Sequence, residues 1–112
     1  MTDTDFAPLG VLEEQIIVAV LRTHGDAYGM NVRREIERVT GRELAIGAVY
    51  ATLDRLEAKG LVKSRRVDAA GASRRLFEVT AAGAAVLAET RSMRDRLWQG
   101  IDLRDLLTLA RG

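Results

Sequence analysis

Val11, Leu12, Ile16, Ile17, Val20 and Leu21 recur at the interval of an amphipathic helix, and Gly25 beyond them suits a helix stop. A second helix is predicted from Tyr28, Val32, Ile36 and Val39, with Arg33, Arg34, Glu37 and Arg38 on its other faces and Thr40 and Gly41 ending it. Ile46, Val49, Leu53 and Leu56 mark a third, closed by Gly60. The period then shortens. Leu61 to Val67 and Arg74 to Val79 are strand-length runs joined by Asp68, Ala69, Ala70, Gly71, Ala72 and Ser73, which predicts a hairpin with a mobile tip. Thr80 is placed to cap a final helical region, where Val86, Thr90, Met93, Leu97 and Ile101 form a seam close to a coiled-coil stripe. Gly100 and Asp102 interrupt it, and Leu103, Leu106, Leu107 and Ala110 make one more short apolar face.

This pattern belongs to one small domain, since 112 residues rarely build two cores and a content of 47% hydrophobic and 29% charged residues is globular. No run approaches the roughly 18 apolar residues that span a bilayer. The acidic start, Thr2-Asp3-Thr4-Asp5, lacks the basic and apolar regions of a signal peptide, so a cytoplasmic location is expected. The absence of cysteine and the single His24 remove disulfides, thiolate chemistry and histidine metal clusters. Ser64, Ser73 and Ser92 all lie far along the chain from that histidine. No catalytic residue, metal or cofactor is therefore expected.

The net charge of +1 hides an uneven distribution. Residues 1–43 hold five basic and eight acidic groups, residues 44–75 seven and three, and residues 76–112 five and five. The basic third coincides with the third helix and the hairpin. Lys63, Arg65, Arg66, Arg74 and Arg75 populate the strands, and adjacent arginines put cations on both faces. On the third helix the expected outward face is Ala48, Ala51, Thr52, Arg55 and Lys59, small at first and cationic further along. Small side chains let a helix approach another surface closely.

Three helices followed by a basic hairpin predict a mainly α (α+β) winged helix-turn-helix, whose third helix enters the DNA major groove while the hairpin touches the flanking backbone. Gly47, Ala48, Ala51, Thr52 and Arg55 then face the groove. Thr52 offers a hydroxyl and a methyl, the alanines can meet thymine methyls, and Arg55 can reach guanine or a phosphate. Lys63, Arg65, Arg74 and Arg75 supply phosphate contacts from the wing.

The chain also resembles a known family. Tyr28-Gly29-Met30, the Ile36-Glu37 pair, the run from Gly47 through Tyr50-Ala51-Thr52-Leu53-Asp54-Arg55-Leu56 to Gly60-Leu61-Val62, and Arg75-Leu76-Phe77-Glu78-Val79-Thr80-Ala81-Ala82-Gly83 are similar to the PadR-like transcriptional regulators. The resemblance implies a homodimeric, usually repressive regulator whose last helix dimerises and which leaves DNA when a small molecule binds. It implies DNA contacts at Tyr28, Tyr50 and Arg75. Ile46 stands where the family often has serine and Phe77 where tyrosine is common. With 29 residues after Gly83, the chain looks like the short subgroup that lacks a larger C-terminal ligand domain.

The expected organisation is a flexible N-terminal arm over 1–10, a winged-helix DNA-binding domain over 11–79 and dimerisation helices over 80–112. Val86, Thr90, Met93, Leu97, Trp98 and Ile101 are the expected dimer interface. Short family members sandwich flat hydrophobic ligands between aromatics, which makes Met93 and Trp98 candidate effector contacts, although a tryptophan on such a face also serves as interface core. The expected partners are a two-fold symmetric duplex operator, a second copy and a small hydrophobic effector. A second reading of the same basic face is a protein-protein interaction module that meets an acidic partner.

Overall fold

The computed structural model describes residues 7–69 and 71–112; residues 1–6 of the expected arm and Ala70 in the hairpin tip lie outside the described residues. The elements run α1 (Val11–Arg22), α2 (Gly29–Thr40), α3 (Ile46–Ala58), β1 (Val62–Ala69), β2 (Ala72–Val79), α4 (Ala81–Trp98) and α5 (Leu103–Ala110). This is a mainly α winged helix-turn-helix, as the periodicity predicts. None of its described helices is long and apolar enough to cross a membrane.

Local chemistry sets the boundaries. Glu13 reaches back to accept the Gly10 N–H at 3.0 Å, and Glu13 with Glu14 puts negative charge at the start of α1. Gly41 ends α2 at φ 73, a left-handed conformation natural to glycine, and its N–H donates to the Glu37 carbonyl. Thr80 caps α4 by accepting the Gly83 N–H at 3.0 Å, and Asp102 caps α5 by accepting the Arg104 N–H at 2.8 Å.

The core collects Ile16, Ile17 and Val20 of α1, Val32 and Ile36 of α2, Val49, Leu53 and Leu56 of α3, and Val62 and Phe77 of the wing. Val39, expected on the inner face of α2, is instead 54% exposed. The antiparallel register places Ser64 opposite Phe77 and Arg66 opposite Arg75 on one wing face. Arg65 opposite Leu76 and Val67 opposite Arg74 occupy the other. The first face is turned toward α3, where Glu57 accepts from the Ser64 hydroxyl and N–H. At the start of α4, Gly83 lies so close to the wing that a Cβ there would stand 2.0 Å from the Leu61 carbonyl oxygen.

The expected dimer seam splits in two. Val86 packs against the core of its own chain. Thr90 is buried, with its hydroxyl accepting the Leu9 N–H at 3.1 Å. Both thus have partners within their own chain, where α4 lies along α1 through its first half and Arg94 pairs with Glu14. The Leu9 bond also fastens the last residues of the expected flexible arm to α4. Beyond Met93 the seam is uncovered, with Leu97, Trp98 and Ile101 all exposed.

Candidate nucleic-acid interface

The interface is built where α2, α3 and the wing converge. Tyr28 is the N-cap residue of α2, and its extended backbone bridges to Leu76 of β2 while Ala27 accepts the Phe77 N–H at 3.0 Å. The wing strand thus fixes the entry to α2. Tyr50, one turn into α3, lays its ring over Gly29, where a Cβ would come within 2.4 Å of the ring's Cζ. Only glycine allows that approach.

Tyr28 and Tyr50 line a cavity of about 480 Å³ together with Arg34, Arg66, Arg74 and Arg75, and no carboxylate lines it. The Arg74 guanidinium lies 5.1 Å above the centre of the Tyr28 ring, and that of Arg75 lies 4.8 Å above the Phe77 ring. The Tyr28 ring holds the Arg74 cation in place without neutralising it, whereas Arg75 has carboxylate partners as well. Four guanidiniums beside two phenol groups make a receptor for oxyanions, since Arg presents its donors in a planar fork that matches phosphate geometry.

Arg75 is the most constrained of the four. Its guanidinium donates to Asp54 at 2.9 Å and to Glu57 at 2.8 Å, both on α3. Burial pulls its pKa down, but the two carboxylates outweigh that and hold it above the ordinary arginine value. The partners also relieve the like-charge opposition of Arg66 and Arg75 across the ladder. Arg66 and Arg34 were not among the predicted contacts. Register alone brings Arg66 beside Arg75, and the packing of α2 brings Arg34.

Gly47, Ala48, Tyr50, Ala51 and Arg55 are exposed on α3, as predicted, and open space lies beyond the Gly47 Cα. Thr52 is a correction. It is 1% exposed, and its hydroxyl donates to the Ala48 carbonyl at 2.8 Å. It completes the inner stripe with Val49, Leu53 and Leu56 instead of facing the groove. Arg55 leans back on it at 3.3 Å. On the wing, Lys63, Arg65 and Arg74 are exposed, with Lys63 opposite Glu78. Lys63 and Arg65 lie outside the arginine cavity. Met93 lines an apolar groove at α1 and α2, whereas Trp98, 51% exposed, does not, so the two candidate effector contacts are not brought together within one chain.

A winged helix-turn-helix with this cationic, aromatic surface defines a DNA-binding protein of the transcription-regulator class. The profile of the transcriptional regulator PadR-like family matches residues 17–89, and the chain belongs to that family. It is 36% identical over 72 residues to transcriptional regulator Rv3488 of Mycobacterium tuberculosis, a match that spans 64% of this chain and 66% of the relative, just under two thirds of its length. Among solved structures it is similar to a PadR-like transcription factor from Bacteroides fragilis, at a TM-score of 0.70 and 22% identity over 82% of this chain and 87% of that one. A PadR family regulator from Eggerthella lenta gives 0.66 and 24% over 87% and 88%. At these identities the two structures speak for the fold.

Proposed function

We propose that the protein is a cytoplasmic homodimeric repressor that binds a two-fold symmetric duplex operator and is released by a small hydrophobic effector. The cavity of Arg34, Arg66, Arg74 and Arg75 beside Tyr28 and Tyr50 carries this reading. It stands next to the exposed start of α3, so a phosphate held there would bring Gly47, Ala48 and Ala51 to the base edges of the adjoining major groove. Lys63 and Arg65 extend the contact along the flanking backbone. Two copies would set their third helices about 34–36 Å apart, one DNA turn. Met93 and Trp98 sit on the helix that would fix this spacing, which is where an effector would change it.

The test is a salt series of duplex binding, read by fluorescence anisotropy with the full chain. Phosphate contacts release counterions, so log affinity should fall with log salt at a slope near −0.9 for each contact. A flat series overturns the DNA reading.

A further inference from the structure

Arg34, Arg66 and Arg74 converge on the cavity beside Tyr28 and Tyr50, and none of the three has a carboxylate partner among the described residues. Arg34 donates only to the Asn31 side chain, at 3.1 Å, and Arg74 rests on the Tyr28 ring. Arg66 stands across the ladder from Arg75, the one member that is paired, with Asp54 and Glu57. Folding therefore gathers three uncompensated cations and a fourth, partly compensated one, around a single space, where they repel one another.

That concentration of charge exceeds what a DNA strand brings to one place. Each backbone phosphate carries a single negative charge, and the next lies further along the strand. A free diphosphate packs about three charges into one small body. The space suits such an occupant: about 480 Å³ falls within the roughly 300–1,000 Å³ of small-molecule sites. The start of α2 adds to the field, since no side chain caps it, no acid stands in its first turn, and Met30 and Asn31 line the cavity. Asp26, which accepts from the Asn31 amide, does not line it.

We propose that this cavity binds a free diphosphate group, bare or at the end of a small metabolite, and that the anion and duplex DNA exclude one another there. Arg34 and Arg66, exposed and without acidic partners, are its main holds, with Arg74 fixed beside them by the Tyr28 ring. An anionic signal then acts directly on the reading face, apart from any hydrophobic effector near Met93 and Trp98. Because the anion relieves the repulsion among the arginines, its binding also stabilises the folded chain.

The competition rests on the DNA reading above, whereas the anion site can be tested without DNA. Calorimetric titration of the full chain with sodium pyrophosphate, free of divalent metal, is compared with sodium chloride of equal ionic strength. The parent should bind pyrophosphate and melt at a higher temperature than in chloride. Arg34→Ala and Arg66→Ala should each weaken that binding at least about tenfold, while Arg91→Ala, which removes the same charge from α4 outside the cavity, should leave it unchanged. Pyrophosphate should also displace a labelled duplex at concentrations where matched chloride does not. No binding beyond chloride, or equal losses in all three variants, overturns the site and leaves the DNA reading to its salt series. Pyrophosphate that binds without displacing duplex overturns the competition. Pyrophosphate binding by a chain whose duplex salt series is flat keeps the anion site and removes the DNA reading.

Discussion

Arg75 Nη1 donates to Asp54 Oδ1 at 2.9 Å, an ion pair that ties the wing to the recognition helix across 21 positions of sequence. The pair puts an exposed carboxylate beside the proposed reading face of α3 and occupies part of the guanidinium proposed to hold phosphate. Asp54→Asn should therefore tighten binding to any duplex, by about threefold to tenfold at low salt, while Glu57 still holds the wing. Arg75→Ala should weaken specific and random DNA alike. Anisotropy titrations on both kinds of duplex read this directly, and weaker binding by Asp54→Asn would show that the pair positions the wing.

Gly29→Ala separates stability from binding. Alanine at an ordinary helix position gains about 1 kcal/mol over glycine, but here the Cβ would meet the Tyr50 ring at 2.4 Å. A tyrosine ring can swing away, so thermal unfolding should change little. Duplex affinity should fall about tenfold because the displaced ring no longer lines the arginine cavity.

Gly83→Ala meets backbone instead. With a Cβ 2.0 Å from the Leu61 carbonyl oxygen, α4 has to move off the wing. Urea unfolding should report a loss of about 3 kcal/mol. A loss below 1 kcal/mol would mean that the start of α4 is loosely held.

Thr52→Ala should cost about 1 to 2 kcal/mol of stability, through the lost bond to Ala48 and a small void. Its preference among DNA sequences should stay that of the parent. A changed preference in a selection from random duplexes would return Thr52 to the reading surface.

Acid should loosen the helix-turn-helix. Arg38, and then Arg22, hold the Glu35 carboxyl at about 2 instead of 4.5. The Leu44 N–H and Arg33 lower Glu37, and Lys59 with the Gly10 N–H lowers Glu13. Groups with depressed folded pKa values add stability that is complete above the unfolded value and disappears as pH falls through the folded one. Unfolding free energy should thus decline from about pH 4.5 toward 2, and Glu35→Gln should flatten that decline. Solvent screening keeps the effect modest.

Val49, Thr52, Leu53 and Leu56 show what pattern can and cannot disclose. Their i, i+3, i+4, i+7 spacing is the inner stripe of α3, but the hydroxyl of Thr52 reads as polar until a carbonyl one turn earlier is seen to accept its hydrogen bond. Val86 and Thr90 show the reverse: their spacing continues into Leu97 and Ile101, yet only the packing of α4 on α1 decides which half of the stripe is already covered.

The helices, the wing and the basic charge of the reading unit were set by the sequence alone, because period, caps and glycine stops act over a few neighbouring residues. Tertiary structure decided the rest. Arg75 met Asp54 and Glu57, and Arg34 and Arg66 joined the two tyrosines. Those relations join residues far apart in the chain, and only the closing of the core brings them within the few ångströms over which charge and packing act.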